Sequence, residues 1–292
     1  MPPDNWLSGC DFNVAGTVSN SGMSSARLTE FAAATRRSGS GRTGVREMIP
    51  LEAELEEMKD SRDKVRQTVA GKRPALDIEL VDTIISAYRG RAQTLLGPHR
   101  GNPVDVLVAT ILSQATSDVQ SERAFRNLKQ AFPTWEEVIC ADPRDVEAAI
   151  AKAGLAREKA RNLQAALKKV RDDMGRIDLQ KLAGLDAREA MEYLLSLPGV
   201  GPKTAACTLL FGFDVPVFPV DTHILRIAKR LGIIPPATSA EKAQVILNEM
   251  IPADRMLEFH TGLIEHGRRV CKKRKPLCER CAISKWCARR EA

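Results

Sequence analysis

Lys203 stands where a lysine's chemistry could be activated, in the segment Leu197-Pro198-Gly199-Val200-Gly201-Pro202-Lys203-Thr204-Ala205. Residues 186–197 read as a helix that Pro198 cannot continue. Gly199-Val200-Gly201 then makes a tight turn with Val200 packed inward, and Pro202 suits the first turn of the next helix. Two glycines beside a helix start expose backbone N–H groups. Such unpaired amides, with the positive end of a helix dipole, favour a phosphate oxygen. An ordinary interhelical turn also uses Pro-Gly, but Gly-Val-Gly between a proline and a lysine favours the phosphate reading. Lys203 is then the second helical residue. The dipole disfavours its ammonium, and a neutral amine can attack an electrophilic carbon and form a Schiff base. Contact with phosphate is the competing role, and spacing alone leaves both open.

A carboxylate follows at Asp221, within Phe218-Pro219-Val220-Asp221-Thr222-His223. Asp221 or Thr222 is expected to cap the next helix. If Asp221 also faces Lys203, it could act as a general base or stabilise a developing cation. His223 reads as a structural first-turn residue. The C-terminus carries Cys271, Cys278, Cys281 and Cys287, with one C-x2-C pair. Structural zinc usually takes two such knuckles, whereas a four-cysteine iron–sulfur cluster tolerates looser spacing, so iron–sulfur is favoured. Cys10, Cys140 and Cys207 are expected to be unligated, the last two inside helices. Between the first two terminal cysteines lie Lys272, Lys273, Arg274 and Lys275, preceded by Arg268 and Arg269. Pinned by a cluster, these would form a compact phosphate-binding knob rather than a merely solvated run.

The elements that must position these residues are helices. The 292-residue chain is 43% hydrophobic but only 4% aromatic, so its core is built from Leu, Ile, Val and Ala, and period-two alternation is rare. The fold class is therefore all-α, with helices expected at 76–96, 103–114, 118–131, 134–140, 143–152, 156–174, 186–197, 202–212, 222–232, 239–250 and 253–268. Pro103, Pro143 and Pro202 mark helix starts, and Gly175 and Gly232 mark stops. The net charge of +7 permits a polyanionic partner without demanding one. No membrane span and no secretory leader is evident. Residues 1–46, rich in Ser, Gly, Thr and Arg, read as a disordered extension, with Met48 an alternative start. Residues 47–75 read as an appended charged helix.

Taken in order, Leu197 to Ala205, then Pro219 to Arg226, then the four terminal cysteines resemble endonuclease III. That family comprises helix-hairpin-helix DNA glycosylases with a [4Fe-4S] cluster. The resemblance covers about residues 76–287 and its three motifs together are highly specific. It implies two all-α lobes: a six-helix barrel domain at 102–215, and a cluster domain joining 76–101 to 216–292. It also implies that a damaged nucleotide of double-stranded DNA is flipped into the cleft. Lys203 matches the nucleophile that attacks C1′, expels the base and forms an imine, with β-elimination then nicking the strand. Asp221 matches the assisting acid. A related adenine glycosylase branch lacks the lysine, so Lys203 favours the bifunctional class.

Ala153 to Ala160 resembles the wedge loop of the family, which would place Leu155 in the duplex. Ile111 to Asp118 resembles a second loop, with Gln114 as the other inserted residue. Here the glutamine directly follows the serine, where one residue more commonly intervenes. Pro202, Ala156 and Arg157 also depart from the pattern. The resemblance thus implies a monomeric enzyme that excises oxidised pyrimidines and cleaves the strand. It would act in the cytoplasm or nucleoid of a bacterium, or in the nucleus or an organelle of a eukaryote. The alternatives are the same chemistry on mismatched or modified pyrimidines, and a noncatalytic DNA-binding or redox-sensing cluster protein.

Overall fold

Prolines and short polar side chains, rather than long apolar runs, set where the helices of this chain begin. The computed structural model describes residues 76–90 and 99–288, all within one unit spanning Ala75–Ala292. The expected extension at 1–46 and charged helix at 47–75 lie outside the described residues. Among those residues every regular element is helical and none is a strand. None of the described helices is long and apolar enough to cross a membrane.

In chain order the helices are α1 (Ile78–Ala87), α2 (Pro103–Ser113), α3 (Asp118–Ala131), α4 (Trp135–Cys140), α5 (Pro143–Ala149) and α6 (Ala156–Met174). They continue with α7 (Ala187–Leu195), α8 (Pro202–Cys207), α9 (Thr222–Arg230), α10 (Ala240–Met250) and α11 (Met256–Arg269). Pro103, Pro143 and Pro202 all occupy first-turn positions. Asn102 and Asp142 cap α2 and α5 through their side chains, and Asp186 forms a reciprocal capping box with Glu189 on α7. Gly175 ends α6 and Gly232 follows α9, both in the left-handed conformation that favours glycine.

α2 is the central element. Its residues Val106 to Leu112 are all buried, the pattern of a helix surrounded by others. It packs against α3, α6 and α8. One apolar cluster runs from Val104 to Val217 and draws on α2 to α8. Separately, α11 packs against both α1 and α9. The chain beyond α11 turns back to the start of α1, where Trp286 donates to Asp77 (2.6 Å) and Lys285 pairs with Glu79 (2.5 Å).

Three helices stop three or more residues short of the ends of their expected spans. α1 stops at Ala87 because Tyr88 leaves the helical conformation and its hydroxyl bonds to His266 Nδ1 at 3.0 Å; residues 91–96 of the expected span lie outside the described ones. The segment 143–152 breaks after Ala149, and a 3₁₀ turn at Ala151–Ala153 follows the fully buried Ile150. The segment 202–212 changes at Thr208 into a π turn running to Gly212. There Gly212 lies so close to α2 that an added Cβ would stand 2.9 Å from Pro103 Cα. Cys140 is the exposed last residue of α4 rather than an interior one, while Cys207 is buried as expected.

The α1–α11 contact is equally close, since a Cβ on Gly262 would meet Ile84 Cγ2 at 2.7 Å. Ile84 is fully buried and its β-branch cannot rotate away. Gly262→Ala is therefore expected to destabilise the protein by about 1–3 kcal/mol, measured by denaturant titration. An unchanged midpoint would mean that the two helices separate freely.

Candidate active site

The hairpin of α7 and α8 forms as its residue types require. Gly199 has φ +74, and a Cβ there would strike Asn162 of α6 at 2.7 Å, so only glycine fits the turn. Val200 is 7% exposed and joins the apolar cluster. Gly201 is exposed, with open space around its Cα, and stands at the N-cap of α8 with no side chain to satisfy the first amides. The start of α8 therefore presents unpaired backbone donors, whereas within the turn Val200 N donates back to Leu197 O at 3.1 Å.

Lys203, on the first turn of α8, lines a cavity of about 830 Å³. Four helices build it by presenting residues one helical turn apart. α2 supplies Thr110 and Ser113; α3 supplies Asp118, Glu122 and Phe125; α8 and its π turn supply Lys203, Cys207 and Phe211; α11 supplies His260, Ile264 and Arg268. Val220-Asp221-Thr222, leading into α9, adds a further wall. Asp221 does cap α9, accepting from Ile224 N at 2.8 Å. It lines the cavity with Lys203 as well, so capping and facing the lysine are compatible.

The charges of Lys203 and Asp221 both reach two buried groups behind them. Burial pushes the Cys207 thiol up, with Lys203 and Asp221 acting in opposite directions. Burial likewise pulls His260 down to about 4. His260 Nδ1 lies 3.1 Å from Pro219 O, which can only accept, so the neutral ring donates there and holds the segment that carries Asp221. On the α3 side, His99 Nε2 pairs with Glu122 (3.1 Å) and its ring lies 4.0 Å from that of Phe125. Arg268 pairs with Asp118 at 2.6 Å, joining α11 to α3 beside the cavity.

Gln114 and Leu155 are placed differently. Gln114 Nε2 donates to Gly199 O (3.1 Å) and Thr204 Oγ1 (3.2 Å), so its amide is tied to the hairpin and lines the same cavity. Leu155 is away from the cavity lining, 63% exposed, and has φ +49 just before α6.

Residues 108–253 match the family described as HhH-GPD superfamily base excision DNA repair protein. An Arabidopsis thaliana protein named as a DNA glycosylase is 38% identical over 185 residues, and the match spans 63% of each chain. Endonuclease III of Thermotoga maritima is 36% identical over 186 residues, covering 64% of this chain and 83% of that one. The chain belongs to the endonuclease III family. A solved trapped endonuclease III–DNA covalent intermediate superposes with a TM-score of 0.66 at 28% identity, covering 75% of this chain and 98% of that one.

Cys271, Cys278 and Cys287 all lie within electrostatic reach of Cys281. All four are free thiols. Burial pushes the Cys281 thiol up, and Cys271, Cys287 and Cys278 add to it as neighbours. Among the described residues, no three His, Cys, Asp or Glu side chains converge as one metal ion requires. A single tetrahedral ion would need thiolates about 3.8 Å apart, given metal–sulfur bonds of about 2.3 Å. Four cysteine thiolates are the donor set that a [4Fe-4S] cluster takes.

The basic run is only partly free. Arg269 pairs with Glu265 at 2.8 Å, and Arg268 faces Asp118. Lys272, Lys273, Arg274 and Lys275 are exposed. Their loop is gripped by two arginines that sequence reasoning passed over. Arg226 donates to Cys271 O (2.8 Å) and Gly267 O (3.0 Å); Arg230 donates to Lys272 O (2.8 Å) and Cys271 Sγ (3.1 Å). The signal available was a pair of arginines four apart toward the end of α9. Nothing local marked His260 or Lys159, the buried lysine treated below.

The pH dependence of stability follows from His260. Its folded pKa of about 4 lies below the ordinary 6.5, so the unfolded chain binds the extra proton first. Its contribution is whole above pH 6.5 and is lost as pH falls toward 4, by an amount on the order of 3 kcal/mol. His260→Asn should flatten this part of the stability–pH curve measured by chemical denaturation. A curve of unchanged slope would mean that His260 protonates in place.

Proposed function

We propose that this protein is a bifunctional DNA glycosylase and abasic-site lyase that removes oxidised pyrimidines from double-stranded DNA. The observation that carries the reading is that Lys203 and Asp221, from different segments, line one cavity beside the uncapped start of α8 at Gly201. The family and the trapped covalent endonuclease III–DNA complex that superposes on this chain support it. The apolar cluster from Val104 to Val217 supports a barrel domain at 102–215, with 76–101 and 216–292 as the second lobe.

In this mechanism the hairpin amides and the side chains of Lys272, Lys273 and Arg274 hold phosphates, and Leu155 fills the space left by a flipped nucleotide. The Lys203 amine attacks C1′. The C1′–N bond breaks and the base leaves with the electron pair, taking up a proton. The sugar ring opens at the C1′–O4′ bond as the imine forms, O4′ gaining a proton. Removal of a C2′ proton then expels the 3′ phosphate by β-elimination, and water finally returns Lys203 as the amine. Asp221 offsets the positive charge that develops at C1′ and on nitrogen. Cys271, Cys278, Cys281 and Cys287 would hold a [4Fe-4S] cluster, which cross-links the basic loop when bound.

Gln114 favours a second reading of base choice. With its amide engaged by Gly199 and Thr204, it is less available to the opposing base, which suits mismatched or modified pyrimidines as targets. Excision from a panel of oxidised, deaminated and mismatched pyrimidines against all four opposing bases separates the two.

Borohydride trapping on a thymine-glycol duplex tests the chemistry. A covalent adduct is expected, absent in Lys203→Ala. Asp221→Asn should slow trapping by roughly 10²-fold or more while binding persists. No adduct with any lesion or abasic site would overturn the lyase assignment and favour a noncatalytic DNA-binding protein. For the basic loop, Lys273→Ala is expected to lower the slope of log affinity against log salt by about one; an unchanged slope removes Lys273 from the phosphate contacts.

A further inference from the structure

We infer that Lys159 locks the two loops at residues 113–116 and 153–155 into one unit, and so positions the wedge that opens the duplex. Lys159 lies on the first turn of α6 and is 3% exposed. Its ammonium donates to Leu112 O (2.8 Å), Ala153 O (2.7 Å) and Thr116 Oγ1 (2.7 Å). These use all three protons of the group. None of the three acceptors is a carboxylate. Leu112 lies in the last turn of α2 and Ala153 ends the 3₁₀ turn Ala151–Ala153, so two carbonyls near helix C-termini supply the compensating negative charge.

The two loops that leave these ends carry the left-handed non-glycine residues Ala115 (φ +50) and Leu155 (φ +49), the latter following Gly154 (φ +63). L-residues hold that conformation only where the surroundings over-determine it. The loops also touch directly. The single Thr116 hydroxyl proton is shared between Ala153 O and Gln114 O, and a Cβ on Gly154 would meet only Thr116 Oγ1, at 3.9 Å.

Leu155 makes the function of this lock specific. At 63% exposure its side chain has little protein to lean on, so its position comes from its backbone alone. A wedge that must enter a stacked duplex needs that backbone stiff before contact. Lys159 reaches Leu155 through the shared helix start, with Lys159 N donating to Leu155 O at 3.0 Å, and reaches Gln114 through Leu112 and Thr116. It is a positioning residue, because it lies outside the cavity that Lys203 lines.

The inference rests on the reading of Leu155 as a duplex wedge, so its test includes a readout that needs no chemistry. The probe is a duplex with a tetrahydrofuran abasic analogue opposite 2-aminopurine, whose fluorescence reports disturbance of the stack on binding. Leu155→Ala is the control for a lost wedge. Lys159→Met keeps the stem and removes the ammonium. It is expected to reduce the fluorescence change to the Leu155→Ala level and to slow single-turnover excision from a lesion duplex by about a hundredfold. Trapping at an abasic site in single-stranded DNA, where no stack must be opened, should stay near wild type. A wild-type fluorescence change in Lys159→Met overturns the inference, as does an equal loss on duplex and single-stranded substrates. Should Lys159→Met unfold, Thr116→Val removes one acceptor and is held to the same outcomes. If wild type itself is never trapped, the lyase reading fails, and the fluorescence comparison still decides the role of Lys159.

Discussion

Backbone groups left unpaired at helix ends are the constraint on which the rest of this site depends. A chain of short helices has many such ends, and any that is buried must find a partner. Here the partners are side chains from other elements. Asp221 accepts from Ile224 N, Gln114 donates to Gly199 O, Lys159 closes the ends of α2 and of the 3₁₀ turn, and Arg226 takes Gly267 O and Cys271 O. Each of these bonds fixes a loop rather than a helix axis. Loops carry the hairpin turn, the exposed Leu155 and the cysteines, so satisfying the backbone and fixing these residues are one act of folding.

That coupling shapes the electrostatics of the cavity. Asp221 cannot drift toward Lys203, since one of its oxygens already holds the first turn of α9. His260 could in principle offer a competing cation beside it. Full burial and the Pro219 carbonyl keep it a neutral donor near neutral pH, with its pKa pulled down to about 4. Cys207, a thiol beside the cavity, is buried and pushed up, which withholds the thiolate. The amine facing the cavity is left with a fixed carboxylate and two inert neighbours. Such pre-set geometry is what stabilises charge as it develops.

Features specified by a few adjacent residues were legible in the sequence. Pro103, Pro143 and Pro202 mark helix starts because their rings fix φ and lack an N–H, whatever surrounds them. Gly199 and Val200 read correctly for the same reason. The π turn after Cys207 was not legible, because it answers to Pro103 on another helix. Gln114 looks like a free loop residue until its partner 85 positions away is known. Lys159 reads as one more charge on an amphipathic helix, and its burial depends on Leu112, 47 residues earlier. Tyr88 likewise ends α1 through a histidine 178 residues later. Propensity and spacing carry no term for such partners.

Charge counting shows the same limit from another side. Six basic residues in 268–275 suggest one phosphate-binding surface, yet Arg268 and Arg269 are committed to Asp118 and Glu265. The remaining four hang from a backbone that Arg226 and Arg230 grip at Cys271, Lys272 and Lys273. Both arginines belong to α9, and the first turn of α9 is held by Asp221. One short helix thus has the cavity carboxylate at its start and the basic cysteine loop at its end. A force applied at that loop reaches the carboxylate through a single rigid element of nine residues, Thr222–Arg230. The same geometry makes the arginines more than loop anchors, because the register they impose on Cys271 also sets how far the exposed lysines stand from the cavity.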